Sequence, residues 1–163
     1  MRIAAGPLTA IALSLQFVSA VAAADSCTLL KPAEIQSALA SAPTSLVATS
    51  VASGASLCRS RAGKLSLLIR VAPRASGASG EKERKGIEIA RKMGAQVEVR
   101  TEGDLTCSRM TVPPPLADLG NNLTCTVQKS GQVVGVEVTS PAAADLPSTA
   151  VVAGLARKAA SRL

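Results

Sequence analysis

The clearest signal along this chain is alternation of apolar and polar positions at period two. Leu65, Leu67, Ile69 and Val71 point to one side while Lys64, Ser66 and Arg70 point to the other. With Leu57 to Arg61 before them and Ala62-Gly63 between, this spacing predicts a β-hairpin. A second hairpin is expected from Leu123 to Gln128 and Gln132 to Thr139, turning at Lys129-Ser130-Gly131, with Val134, Val136 and Val138 inward. Gln96 to Thr101 alternates Val97 and Val99 with Glu98 and Arg100, which predicts a half-buried strand, and Leu105 to Val112 reads as another. Residues 44–56 are rich in Ser, Thr, Ala, Val and Gly with weak alternation, so they read as a loop with at most one edge strand.

Helical spacing takes over in three places. Pro32 to Ser41 suits a short helix, with proline in the first turn, Glu34 where a capping-box acid sits, and Leu30 able to pack on Ile35. After a linker at Pro73 to Gly80, Glu81 to Met93 carries Gly86, Ile89, Ala90 and Met93 on one face, and Gly94 stops it. Ser148 to Leu163 presents Val152, Leu155, Ala156, Ala159 and Leu163 as an apolar stripe, with Arg157, Lys158 and Arg162 near the end where the helix dipole favours them. These elements predict an α+β fold. It is a mostly antiparallel sheet of two hairpins plus one or two further strands, with about three helices packed on it. An internal repeat supports this layout: Cys58, a turn glycine, an alternating strand and Pro73 compare with Cys125, Gly131, an alternating strand and Pro141, and each unit runs into a helix.

Residues 1–24 read as a secretory leader. Arg2 supplies the positive start, Ile11 to Val18 a short apolar run, and Ala22-Ala23-Ala24 a small-residue cleavage site. The expected product is one exported domain, residues 25–163, in the periplasm or secreted, with no transmembrane segment left after cleavage. Composition then narrows the chemistry. The chain has no His, Trp or Tyr, and its single Phe, Phe17, lies in the leader. Aromatic stacking platforms for single-stranded nucleic acid are therefore missing, and so are imidazole bases and imidazole metal ligands. The core has to be aliphatic.

Four cysteines in an exported chain read as two disulfides, for which three connectivities exist. Cys27 with Cys58 and Cys107 with Cys125 are favoured because each closes a local loop. The rival is a four-cysteine metal site, which the absence of any CxxC pair disfavours.

The opening Cys27-x-Leu29-Leu30-x-Pro32-x-Glu34-Ile35-x-x-Ala38-Leu39, Cys58 before a basic hairpin, the Cys107 and Cys125 pair and the closing Leu155-Ala156 to Arg162-Leu163 helix resemble small exported bacterial domains of unknown function. Arg59 departs from the pattern, since similar sequences often carry an aromatic there. The resemblance implies a periplasmic or cell-surface α+β domain with local disulfides, and it carries over no catalytic residue.

Charge supplies the main candidate site. Basic residues number 18 against 11 acidic, and no acid occurs from Ile35 to Gly80, a stretch holding Arg59, Arg61, Lys64, Arg70 and Arg74. On a hairpin these form a basic patch suited to an anionic envelope component or an acidic protein; nucleic acid is a poorer partner. The leading expectation is a non-enzymatic binding module. The alternative is a protease-inhibitor-like protein that presents Met110, Pro113, Pro114 and Pro115 as a stiff extended loop closed by Cys107 and Cys125. Catalytic readings are thinner. Ser79-x-x-Lys82 with Lys129-Ser130-Gly131 mimics a penicillin-recognising serine enzyme but lacks the third element. Glu98, Glu102 and Asp104 could supply a carboxylate pair but read as strand and turn residues. No cofactor fingerprint and no metal-ligand set occurs. Asn122-Leu123-Thr124 is formally a glycosylation acceptor.

Overall fold

The computed structural model describes residues 24–163, apart from 52 and 75–77 and the side chains of 78–83. The expected leader, Phe17 included, lies outside the described residues but for Ala24. Seven strands form one antiparallel sheet: β1 Val47–Ser50, β2 Ser56–Ala62, β3 Leu65–Pro73, β4 Gln96–Glu102, β5 Leu105–Thr111, β6 Asn121–Lys129 and β7 Gln132–Ser140. Their order across the sheet is β1-β2-β3-β7-β6-β5-β4. The helices are α1 Pro32–Leu39, α2 Ala78–Lys92 and α3 Thr149–Ala160.

The sheet is larger than two hairpins and one or two strands. Glu102 pairs with Leu105 across Gly103-Asp104, which makes β4 and β5 a third hairpin. Val47–Ser50 pairs with β2 and becomes a full edge strand, because Ser56–Ala62 otherwise leaves its outer backbone groups unpaired. Each of the three tight loops places a positive φ where it turns: Gly63 at 61°, Gly103 at 62°, and Ser130 with Gly131 at 50° and 73°.

Alternation sets one core face. Leu67, Ile69, Val71, Leu123, Cys125, Val127, Val134, Val136 and Val138 are buried on it, as the period-two reading of β3 and β7 requires. α3 covers the β5–β7 half. Val152, Leu155, Ala156 and Ala159 are its buried stripe. The 3₁₀ turn Ser26–Thr28 covers β2 and β3, and α1 packs on α3. Pairing Cys58 with Ile69, Ile69 with Val136 and Val136 with Cys125 puts both disulfides on one row of the sheet.

The repeat is visible as geometry. A shift of 67 residues carries Cys58 onto Cys125 and Ile69 onto Val136, and lays all of β3 on β7. The two halves meet at the antiparallel β3–β7 pair.

Two sequence expectations are corrected here. α2 packs only at the sheet's edge, its substantial contact being with β4 alone. Val97 and Val99 do not face the core, since β4 pairs Arg100 with Cys107 and so turns its valines to the opposite face, where Val99 is 46% exposed.

A three-membered charge cluster ties α1 to α3. Glu34 accepts from both Arg162 guanidinium nitrogens, at 2.6 and 2.8 Å, from the Lys31 backbone N–H at 2.9 Å, and lies 3.2 Å from Lys158. The Arg162 hydrogen bond first, then that of the Lys31 N–H, holds the Glu34 carboxyl well below the usual carboxylate range, and Glu34 in turn raises Arg162. The unfolded chain therefore takes up this proton first as pH falls, at the ordinary value of about 4.3. Stability from this cluster is complete above that pH and is lost progressively below it. In thermal melts from pH 7 to pH 3, Glu34→Gln should melt lower at neutral pH and show a flatter acid limb; parallel limbs for the two proteins would contradict the assignment.

Candidate functional site

β2 and β3 bring three of the five candidate cations onto the sheet face opposite the core. Arg59 lies across from Leu68, Arg61 from Ser66, and Arg70 from Leu57, so all three guanidinium stems leave from the same side. All three residues are exposed. Among the described residues no carboxylate pairs with any of them; the acid in the same cross-strand row, Glu137, sits beyond Leu68 and accepts from Thr139 Oγ1 at 3.4 Å. Lys64 occupies the loop before β3 and Arg74 follows its end, about 30 Å apart along nine residues of strand. The Arg74 backbone N–H donates to Gly131 O at 2.8 Å, which places it at the β6–β7 loop.

An open groove of about 510 Å³ runs along this face, bounded by Arg59, Arg61, Leu68, Glu137 and Thr139 and walled on one side by Thr44, Ser45 and Val47. The wall is a strap between α1 and β1 held by hydrogen bonds to β2. Thr44 N–H donates to Arg61 O at 2.7 Å, Arg61 N–H donates to Thr44 Oγ1 at 3.1 Å, and Ser60 Oγ donates to Thr44 O at 3.0 Å. The segment reads as featureless loop in sequence, because the hydroxyl and carbonyl of Thr44 serve partners 16 or 17 residues away. Cations beside an apolar Leu68 floor can hold an anionic group with an apolar body.

The remaining candidates disperse. Met110 lies within β5. Pro113 is extended at φ −68° and ψ 160°, but Pro114–Leu119 winds into 3₁₀ turns rather than the stiff extended loop expected, since proline's fixed φ suits a first helical turn as well as it suits an extended chain. Glu98 and Glu102 share a face of β4 with Arg100 between them, Glu102 reaches Arg157 at 3.4 Å, and Asp104 is in the loop. Ser130 and Gly131 form the β6–β7 loop, while the Ser79 and Lys82 side chains lie outside the described residues. Asn122 is half-buried within β6. All four cysteines are consumed in the disulfides Cys27–Cys58 and Cys107–Cys125, so they hold no metal.

Two polar side chains unmarked in sequence prove structural. Asn121, 3% exposed, accepts from Val112 N–H at 3.0 Å and donates to Pro141 O at 2.9 Å, joining both connections that leave the sheet at this end. Arg109 donates to Ala143 O at 3.2 Å and holds the approach to α3. In comparisons with known proteins, no family model, curated protein or solved structure matches this chain. Two disulfides fit an oxidising compartment, and among the described residues no helix is long and apolar enough to cross a membrane.

Proposed function

We propose that this protein is a non-enzymatic binding module of the periplasm or cell surface, and that the face carrying Arg59, Arg61 and Arg70 takes an anionic component of the envelope. The observation that carries the reading is three exposed arginines on one sheet face, without carboxylate partners among the described residues, two of which, Arg59 and Arg61, border the groove. Arginine forks match phosphate and carboxylate oxygens, and a rigid sheet holds them at fixed spacing, so little ordering is needed on binding.

Vesicles containing phosphatidylglycerol should retain the protein and release it as salt rises, whereas phosphatidylcholine vesicles should not. A basic residue near an anionic surface contributes about 1 kcal/mol, so R59E/R61E/R70E should lower partitioning by at least about 100-fold. Equal retention of the triple variant and the parent sinks the proposal.

A further inference from the structure

The sheet ends on one side at β4, and among the described residues only the Val97 carbonyl of its free edge has a partner within the chain. Arg91 Nη2 donates to Val97 O at 3.0 Å, which shows that the backbone of Val97 points away from β5. Alternation then turns the N–H and C=O groups of Val99 and Thr101 outward as well. Among the described residues nothing pairs with them. Glu98 and Arg100 flank Val99 on the core side of the sheet, and neither has an ion-pair partner among the described residues. Beside this edge the apolar Ile89 and Met93 of α2 are 57% and 48% exposed.

We propose that β4 is a self-association edge, taking β4 of a second copy of this chain antiparallel about Val99. The argument is register. Outward backbone groups belong to residues 97, 99 and 101, so an antiparallel copy can centre only on residue 98, 99 or 100. Centring on Glu98 sets Glu98 against itself. Centring on Arg100 sets Arg100 against itself and Glu98 against Glu102. Centring on Val99 places Glu98 opposite Arg100 of the second copy, twice by symmetry, and Val99 opposite Val99. One register in three is charge-matched, and it is the one that brings the exposed valines together. Val97 and Thr101 then pair across the join, with the Val97 carbonyl keeping its Arg91 bond on one lone pair and accepting on the other. The two-fold axis stands perpendicular to the sheet, so each face continues across both copies. The other edge, Val47–Ser50, carries no charge and selects no register.

Sedimentation equilibrium of residues 25–163, in a concentration series reaching millimolar, reads the outcome. The parent should approach a dimer mass. E98R and R100E each set two like-charge pairs across the join and should weaken association by at least about tenfold. The double swap E98R/R100E restores opposite charges in the same register and should return association to near the parent value. Far-UV circular dichroism of each variant confirms folding. A parent that stays monomeric, single swaps that associate as the parent does, or a double swap as weak as the singles would each overturn the proposal.

Discussion

Replacing Cys27 and Cys58 together by alanine should cost about 3–4 kcal/mol, the loop-closure entropy returned to the unfolded chain by opening a 31-residue separation. Against the 5–15 kcal/mol typical of a small domain this is a large fraction. The effect should also be local. The disulfide pins the turn Ser26–Thr28 to β2, and that turn leads into Leu29, Leu30, Ile35 and Leu39, all buried. Amide exchange should therefore accelerate from Leu29 to Leu39 before global unfolding. The Cys107–Cys125 double alanine variant serves as the control. Its loop is 18 residues, worth about 3 kcal/mol on the same model, yet its cysteines already face each other on β5 and β6. It should lower global stability while the amides of α1 stay protected. Equal exchange at Leu29 to Leu39 in the two variants would show that packing, not the first disulfide, holds this segment.

Ile69→Ala should cost about 2–5 kcal/mol, because Ile69 is fully buried between Cys58 and Val136 at the centre of the sheet. With no aromatic among residues 25–163, nothing larger than Leu, Ile or Met fills the core, and a vacated volume there has only short aliphatic neighbours to relax into it. Leu68→Ala, one residue earlier and half-buried on the arginine-bearing face, should cost less than half as much. The pair tests which face is the core independently of any ligand. Denaturant melts need far-UV circular dichroism, since the domain has no Trp or Tyr to report by fluorescence. Similar losses at both positions would mean that the second face is also covered.

The basic site was half legible. That Arg59, Arg61 and Arg70 share a side follows from parity along two hairpin strands, and parity is local. Lys64 in the loop before β3 and Arg74 after its end stand a nine-residue strand apart, with Arg70 on that strand between them. The strap at Thr44 and Ser45 left no periodic mark, since its hydrogen bonds run to β2 and depend on where α1 delivers the chain. Arg162 showed only as a charge at a helix end; its partner Glu34 lies 128 residues away.

Local chemistry written in the sequence determined which residues share a face in β2, β3, β6 and β7, where the hairpins turn, which cysteines close short loops, and that two similar units stand 67 residues apart. These follow from period, turn conformation and chain length alone. Only the tertiary structure decided that β3 lies beside β7, pairing Ser66 with Thr139, and that β4 ends the sheet with its valines turned from the core. It also decided that α2, the counterpart of α3 in the repeat, lies at the β4 edge, while the turn at Ser26–Thr28, tied by Cys27–Cys58, covers β2 and β3. Periodicity states which side chains point together; what lies over them depends on contacts between segments far apart in the chain.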